Sequence, residues 1–268
     1  MNITDYYFKE GEKPLDNIVT DGGFCGIFRK IACIGDSLSS GEFEGTGKEG
    51  EKTFHDFFDY SWGQYLARLA GTTVYNFSKG GMSAKEYCET FAEKNMFWNK
   101  ELAAQAYIIA LGANDTTHML AGKYEFGSLN DICDEDCAQN KPTFVGWYAQ
   151  IIQRYKALQP DAKFFLMTMP RSDWPADPKN ELRDRHSELL YALAEKYSNT
   201  YVLDLRKYAP VYDKEFRRNF YLAGHMNAAG YMITAKMVAS YIDYLIRKYP
   251  DDFRQVGFIG TPFSNKNV

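Results

Sequence analysis

The chain has 268 residues, of which 45 % are hydrophobic and 16 % are aromatic. Its 31 Lys and Arg residues are outnumbered by 35 Asp and Glu residues, which gives a formal net charge of -4 at pH 7. Proteins that bind nucleic acid normally carry an excess of basic residues, so we expect no nucleic-acid partner. No apolar run approaches the roughly 20 residues needed to cross a bilayer, so we expect no membrane span.

The five cysteines are scattered along the chain, and an odd, scattered set is typical of reduced thiols. Cys133 and Cys137 form a C-x3-C pair, but no second pair of Cys or His lies nearby in the sequence to complete a zinc site. We therefore expect neither a metal nor a cofactor. The first residues lack the basic-then-apolar pattern of a secretion signal, which predicts a cytoplasmic protein unless a signal has been removed.

Five apolar runs have the length of strands, and each ends in a sequence typical of turns. They do not alternate apolar with polar residues, which is typical of strands that are covered on both faces. The predicted strands are residues 30–34, 73–77, 106–111, 163–169 and 200–205.

Segments with helical spacing separate these runs. Trp62, Tyr65, Leu66 and Leu69 fall at i, i+3, i+4 and i+7, and Gly71 ends that helix. The repeated alternation of strand and helix predicts a parallel sheet with helices on both faces. We expect one domain over residues 1–268, with 1–25 and 251–268 as appended segments. Further helices are predicted over residues 83–98, 144–158, 181–197 and 228–249.

Two stretches, residues 41–60 and 116–143, are too long for simple connections. Loops that leave the carboxyl ends of parallel strands form the ligand crevice, so both stretches are candidate walls of a site. The first contains a G-x-G-x-x-G pattern at residues 45–50. That pattern binds dinucleotides where it joins a strand directly to a helix. Here it lies well past the strand, so we interpret it as part of a loop.

Short polar and glycine-rich motifs follow the first three predicted strands. The first strand ends in GDSL at residues 35–38, which puts Ser37 at the carboxyl edge of the sheet. The second leads to NFSKGG at residues 76–81, where glycines let backbone N–H groups approach a ligand closely. The third leads to GAND at residues 112–115, which brings the Asn114 side-chain amide to the same edge. His225 comes just before the last predicted helix.

Together these motifs supply the groups that acyl transfer to a serine requires. Serine is a weak nucleophile, so a histidine must take its proton, and His225 is the candidate. The oxyanion of the tetrahedral intermediate needs donors already aimed at it, which the loop at Gly81 and the amide of Asn114 can provide. Taken singly, each residue also has a structural interpretation, because serine and asparagine at such positions cap helices and turns.

GDSL at residues 35–38, the glycine of N-x4-G at Gly81 and G-x-N-D at residues 112–115 resemble the first three blocks of the SGNH (GDSL) hydrolases. His225, followed by Asn and a helix, resembles the last block. The resemblance implies a flavodoxin-like, three-layer α/β/α sandwich with a five-stranded parallel sheet. It implies hydrolysis of esters or thioesters without a metal. It also implies that Ser37 is the nucleophile, that His225 is the general base, and that Gly81, Asn114 and the Ser37 N–H form the oxyanion hole.

One position departs from the family pattern. The family usually has Asp three residues before the histidine, and this chain has Leu222 there. The group that orients His225 therefore stays open: a Ser–His dyad, a backbone carbonyl, or an acid from elsewhere in the chain. The candidate acids are Asp204, Asp213 and Glu215.

Aromatic side chains around a polar site would suit a sugar ring. Trp62, Trp147 and Trp174 are available for this, with Arg171 after the fourth strand, although most aromatic residues are expected in the core. His55, His118 and His186 have no neighbouring motif. We expect the protein to remove a small acyl group from a carbohydrate ester, with acetyl as the first candidate. The alternatives are a lysophospholipase or thioesterase of the same family and a non-catalytic binding module. The sequence leaves the oligomeric state open.

Overall fold

The architecture comes from a computed structural model that describes residues 7–172 and 179–267. Five strands form a parallel sheet in the order β4–β1–β5–β6–β7, and the remaining four form two antiparallel hairpins, β2–β3 and β8–β9. In chain order the strands are β1 (Lys30–Gly35), β2 (Glu42–Thr46), β3 (Lys52–Asp56), β4 (Thr73–Ser78), β5 (Ala106–Ala110), β6 (Lys163–Met167), β7 (Thr200–Leu203), β8 (Tyr221–Leu222) and β9 (His225–Met226).

Helices cover both faces of the sheet, which confirms the predicted three-layer α/β/α sandwich. A π-helical turn, Tyr87–Phe91, joins two of the short helices. The described α-helices are α1 (Ser37–Ser40), α2 (Trp62–Ala70), α3 (Ala84–Glu86), α4 (Ala92–Lys94), α5 (Ala113–Leu120), α6 (Phe144–Leu158), α7 (Asn180–Lys196), α8 (Leu205–Tyr208), α9 (Lys214–Phe220), α10 (Ala228–Lys248) and α11 (Pro250–Phe253).

All five predicted strands are present, and β6 and β7 each end two residues before the predicted boundary. The long predicted helices are also present, with ends that agree to within one residue. The segment 83–98 differs from the prediction. It is broken into α3, the π turn and α4, and it ends where Met96 takes a left-handed backbone conformation with φ of 54°.

The buried side chains of the sheet divide between two core layers. On the central strand β5, Ile108 packs with residues of α2 and α10, whereas Tyr107 and Ile109 pack with residues of α6 and α7. The same division holds along β1, where Ile31 lies in the first layer and Ile34 in the second. Because both faces are covered, these strands are apolar throughout, which explains why their sequences do not alternate.

The strand order places a topological switch point between β1 and β5. The chain moves from β1 outward to β4, then returns to the other side of β1 to form β5. Gly35, at the end of β1, pairs with Ser78 of β4 and with Ala110 of β5. Loops that leave these three strands therefore begin side by side, and in open α/β sheets this crevice is where ligands bind.

The stretch 41–60, predicted as a long loop, contains the β2–β3 hairpin, in which Glu42 pairs with Asp56. The G-x-G-x-x-G glycines lie in β2 and in the turn of this hairpin. The segment 251–268 contributes Phe253, Val256 and Ile259 to the core. Of the helices in the described part of the chain, none combines the length and apolarity required to cross a bilayer.

We expect the substitution Ile108→Ala to lower the free energy of unfolding by about 2 to 5 kcal/mol, because it leaves a cavity in the middle of a close-packed layer. Ile108 is fully buried on the central strand. Ile18 is exposed, so Ile18→Ala is the matched control and should change the value by no more than about 0.5 kcal/mol. Urea unfolding of the two variants measures the difference, and equal losses would contradict this view of the core.

Candidate active site

Ser37 begins helix α1 directly after β1. Asp36 caps this helix: its Oδ1 accepts the N–H of Leu38 at 3.0 Å. Burial raises the pKa of the Asp36 carboxyl to about 6. Because the first N–H groups of a helix lack partners within it, the backbone N–H of Ser37 is available to a ligand at the carboxyl edge of the sheet.

Gly81 lies in the loop that follows β4. Its φ of 74° is in the left-handed region, which glycine adopts without the steric cost that other residues carry. The N–H of Gly81 has no hydrogen-bond partner among the described residues. This backbone conformation therefore presents a free donor next to the end of β1.

Asn114 and Asp115, in the first turn of helix α5, tie the segment after β5 to the segment after β4. Nδ2 of Asn114 donates to the carbonyl of Met82 at 3.1 Å. The fully buried carboxyl of Asp115 accepts the N–H of Ala84 at 3.0 Å and the hydroxyl of Tyr124 at 3.0 Å. The two loops that carry the predicted oxyanion donors are therefore held to one another by hydrogen bonds between their side chains and backbone.

His225 lies on β9, opposite Leu222 of β8, and β9 runs beside α1. The His225 ring is enclosed by the β2–β3 hairpin. Its Nε2 lies 3.0 Å from Oε1 of Glu42, and its Nδ1 lies 3.5 Å from Oε2 of Glu44. Nδ1 is buried and has no hydrogen-bond partner in the described part of the chain.

The two glutamates differ in their surroundings. Burial raises the pKa of Glu42, and the carboxylates of Asp56 and Glu44 add to this effect, whereas His225 opposes it. The pKa of Glu44 is lowered, chiefly by its hydrogen bond with Lys52, whose Nζ lies 2.7 Å away. Glu44 also accepts the N–H of Gly224 at 2.9 Å. Both glutamates thus face His225, and Glu44 is in addition paired with Lys52.

The structure brings the four predicted site residues to one edge of the sheet. Ser37, Gly81 and Asn114 follow three neighbouring strands in register, and His225 lies beside the helix that begins with Ser37. The hydroxyl of Ser37 and the His225 ring are not hydrogen-bonded to each other in this structure. Hydrogen bonds between catalytic residues are often long in the absence of substrate, so this missing bond does not by itself rule out a pair.

The structure places the three acids expected for the orienting role away from His225. Asp204 caps α8 and accepts the hydroxyls of Thr168 and Tyr191. Asp213 caps α9, and Glu215 is exposed on the same helix. None of these three candidate acids is among the carboxylates that the structure places beside the His225 ring, which are Glu42 and Glu44.

The expected aromatic lining is only partly supported. Trp62 and Trp147 are buried in the two core layers, and Trp174 lies outside the described residues. A cavity of about 220 Å³ opens next to Asp36, at the ends of β1, β5 and β6, and Trp62 and Arg171 are among the residues that line it. Ser37, Gly81, Asn114 and His225 are not among the lining residues, but the cavity lies beside them, because their chain neighbours Asp36, Leu38, Ala113, Gly224 and Met226 line it.

The other three histidines make contacts with residues outside the predicted site set. His186 is buried and bonds the carbonyl of Leu111 at 2.9 Å, and its burial lowers its pKa to about 4. His118 contacts the Tyr124 hydroxyl, and His55 stacks on Phe57. Within residues 7–172 and 179–267, no group of three or more His, Cys, Asp or Glu residues is arranged to hold a metal ion.

Comparison with known proteins identifies the family to which the chain belongs. The sequence model of the GDSL-like lipase/acylhydrolase family matches residues 33–233, more than half of the chain. The chain belongs to this family. The match includes Ser37, Gly81, Asn114 and His225. A comparison with curated proteins returns no match.

Solved structures share the fold of this GDSL-like hydrolase. A family two carbohydrate esterase from Clostridium thermocellum, in complex with cellohexaose, is 18 % identical with a TM-score of 0.56, and the alignment covers 90 % of this chain and 66 % of that one. The acetyl xylan esterase AlAXEase is 16 % identical with a TM-score of 0.52 and coverage of 80 % and 99 %. A carbohydrate esterase family 2 enzyme from Corynascus thermopiles is 18 % identical, with a TM-score of 0.54 and coverage of 80 % and 65 %. The chain thus spans about two thirds of the two family two structures.

Sequence reasoning missed Glu42 and Glu44. A signal for them exists in hindsight: carboxylates at i and i+2 share one face of a strand, and EFEGT follows the GDSL motif closely. The stretch was interpreted as a charged loop, and its pairing into a hairpin that meets His225 depends on contacts about 180 residues apart along the chain.

We expect the substitution Asp115→Asn to flatten the pH dependence of stability between about pH 4 and pH 7. Burial raises the pKa of Asp115 from its ordinary value of 3.8 to about 7, so in this window the folded state holds a proton that the unfolded chain has lost. The free energy of unfolding therefore falls as the pH rises, by up to about 1.4 kcal/mol per pH unit from this group.

Urea unfolding at several pH values measures this slope for the wild type and for the Asp115→Asn variant. Asp59 is exposed, so Asp59→Asn is the matched control and should retain the slope of the wild type. A slope that Asp115→Asn leaves unchanged would contradict the assignment of a protonated Asp115 to the folded state.

Proposed function

We propose that this GDSL-like hydrolase is a serine esterase that removes a small acyl group from a carbohydrate ester, with acetyl as the first candidate. The observation that carries the proposal is the common edge formed by β4, β1 and β5. It gathers a serine, a free glycine N–H and a side-chain amide next to a histidine. This set of groups matches what acyl transfer to a serine requires.

In the proposed reaction, Ser37 Oγ attacks the ester carbonyl carbon while its proton passes to the His225 ring. The carbonyl oxygen becomes an oxyanion, which the N–H groups of Ser37 and Gly81 and the amide of Asn114 stabilise. The ring then gives its proton to the departing sugar oxygen and leaves an acyl-serine. Water repeats the sequence, with His225 taking its proton, and releases the carboxylic acid and free Ser37.

The rigid placement of the donor groups supports the proposal that they form an oxyanion hole. The hydrogen bonds of Asn114 to Met82 and of Asp115 to Ala84 fix the loop after β5 against the loop that contains Gly81. Asn114 has two amide hydrogens, and the contact with Met82 occupies one, so the other remains for a ligand. Donors that are already fixed need no reorganisation during the reaction, which is the source of their effect on rate.

Exposed aromatic rings on the hairpin favour a carbohydrate as the alcohol part of the ester. Phe54 is 54 % exposed, and its ring lies edge-on to His225 with the ring centroids 5.7 Å apart. Phe57 and Tyr60 follow the hairpin directly, and both are exposed as well. Aromatic faces stack on the apolar faces of sugars. The similar solved structures include a carbohydrate esterase in complex with cellohexaose and an acetyl xylan esterase.

A binding module is the second candidate function. It is favoured by one observation: both His225 nitrogens face glutamates and neither bonds Ser37. A module that only holds a carbohydrate would not depend on the serine hydroxyl, so the two candidates make opposite predictions for Ser37.

We expect the wild type to hydrolyse p-nitrophenyl acetate, and the substitutions Ser37→Ala and His225→Ala each to lower kcat by about a thousandfold or more. Asn114→Ala should lower it by about a hundred- to a thousandfold, because one oxyanion donor is lost. The control is Ser264→Ala, at an exposed position near the C-terminus. A wild type as inert as Ser37→Ala, combined with retained carbohydrate binding, would replace this proposal with the binding module. If the wild type is active, the ratio of its rates on p-nitrophenyl acetate and p-nitrophenyl butyrate reports the size of the acyl site.

We expect the substitution Phe54→Ala to raise KM for acetylated xylo-oligosaccharides by about 2- to 10-fold, since an aromatic contact is worth about 0.5 to 1.5 kcal/mol. The change for p-nitrophenyl acetate, which has no sugar, should be smaller. Phe263 is exposed near the C-terminus, and Phe263→Ala is the matched control. Equal effects on both substrates would contradict a sugar-stacking role for Phe54.

A further inference from the structure

The position that usually supplies the orienting acid cannot do so in this chain. Leu222 is apolar, 45 % exposed, and lies opposite His225 across the β8–β9 hairpin. A histidine that acts as a general base needs its second nitrogen held, because this fixes the tautomer and stabilises the imidazolium that forms. A different group must therefore hold the ring.

Glu42 makes the closest polar contact to that ring. Its Oε1 lies 3.0 Å from His225 Nε2, which is a normal hydrogen-bond distance. Both side chains are largely enclosed, with 14 % of Glu42 and 16 % of His225 exposed. Electrostatic interactions between groups that are shielded from water in this way are screened much less than those on the surface.

Three features of the surrounding structure keep Glu42 in position. Its backbone carbonyl accepts the hydroxyl of the buried Tyr231 at 2.6 Å, which links β2 to helix α10. Asp56, its partner across the hairpin, accepts the Ser40 hydroxyl at 2.8 Å, which links the hairpin to the helix that carries Ser37. Gly80 leaves room for the carboxylate, since a Cβ there would overlap Glu42 Oε2. The glutamate is thus fixed between the histidine and the loop of Gly81.

The other nearby carboxylates are already engaged. Glu44 is paired with Lys52 and accepts the N–H of Gly224, and it lies 3.5 Å from His225 Nδ1 without a hydrogen bond. Asp36 caps helix α1 through Leu38. Glu42 is the carboxylate that lies closest to the ring, with 3.0 Å between its Oε1 and His225 Nε2.

We propose that Glu42, supplied by the β2–β3 hairpin, is the positioning residue that orients His225 in place of the Asp that this family usually has at the position of Leu222. The inference rests on the proposed esterase function. Glu42 accepts the Nε2–H of His225, which leaves Nδ1 as the unprotonated nitrogen. Nδ1 is buried beside Glu44, so the ring has to move towards Ser37 before Nδ1 can take the hydroxyl proton and pass it to the leaving alcohol. The proton on Nε2 stays on the ring throughout. Glu42 itself neither gains nor loses a proton.

The test compares Glu42→Gln, Glu42→Asp and the control Glu51→Gln, which removes an exposed carboxylate from the same hairpin. Gln keeps the length of Glu but loses the charge, whereas Asp keeps the charge and is one methylene shorter. A role in charge and orientation ranks Asp above Gln in activity, and a purely structural role ranks Gln above Asp. Thermal unfolding of each variant shows whether it is folded.

Two activity readouts are used. The first is kcat and KM for p-nitrophenyl acetate, and the second is the rate at which a fluorophosphonate labels Ser37, which needs an activated serine but no particular acyl group. We expect Glu42→Gln to lower kcat and the labelling rate by about 100- to 10,000-fold with KM changed by less than about threefold. Glu51→Gln should match the wild type.

The pH profile of labelling is a third readout. His225 faces Glu42 and Glu44 from β2 and Asp36 from the start of α1, while Lys52 and Asp56 of β3 flank the two glutamates. In Glu42→Gln the imidazolium loses its nearest counter-charge, so the acidic limb of the profile should move to lower pH. Glu44→Gln leaves Lys52 unpaired and should move the limb less.

The outcomes separate the two proposals. A wild type that neither labels nor hydrolyses overturns the esterase proposal, and the role of Glu42 falls with it. An active wild type with Glu42→Gln within about threefold of it, and with an unmoved acidic limb, overturns the role of Glu42 alone. If Glu42→Gln does not fold, Glu42→Asp decides: a labelling rate as low as that of His225→Ala in a folded Asp variant also overturns it, and retained labelling supports it.

Discussion

The alignment of three neighbouring strand ends is the constraint on which the rest of the site depends. Gly35 of β1 is paired with Ser78 of β4 on one side and with Ala110 of β5 on the other. A slip of one residue would exchange the two faces of β1 and move Ile31 and Ile34 into the wrong core layers. The packing of two apolar layers therefore determines where the loops of a polar site begin.

Buried hydrogen bonds carry this order from the strands into the loops. A buried carboxyl without partners would be strongly destabilising, and Asp115 avoids this by accepting from Ala84 and Tyr124. Since Ala84 begins helix α3 in the segment after β4 and Asp115 lies in helix α5 after β5, satisfying the carboxyl also couples the two segments. The same contacts that lower the energy of the fold hold the donors near Gly81 and Asn114 in place before a substrate arrives.

The histidine side of the site is built on a different support. Ser37, Gly81 and Asn114 follow the central sheet, whereas His225 is held by two small antiparallel hairpins outside it. Contacts that are distant in sequence join these hairpins: Glu42 and Glu44 meet His225, and Tyr231 bonds the backbone of β2. Ser37 and His225 are therefore carried by separate parts of the fold, and the two residues are not hydrogen-bonded to each other.

The sequence by itself determined the layers and the edge at which the site lies. Apolar runs without alternation require strands that are covered on both faces, and the periodic segments between them supply the covering helices, so local pattern was enough. Ser37, Gly81 and Asn114 could be located because each directly follows such a strand. The surroundings of His225 were decided only by the tertiary structure. Its nearest carboxylates lie about 180 residues away along the chain, and whether a glutamate meets a histidine across that separation depends on how a hairpin packs, which no local pattern specifies. Asp204 and Asp213 lie closer to His225 along the chain than the glutamates do, yet in the folded protein they cap helices. Proximity in sequence therefore did not identify the carboxylate beside the ring.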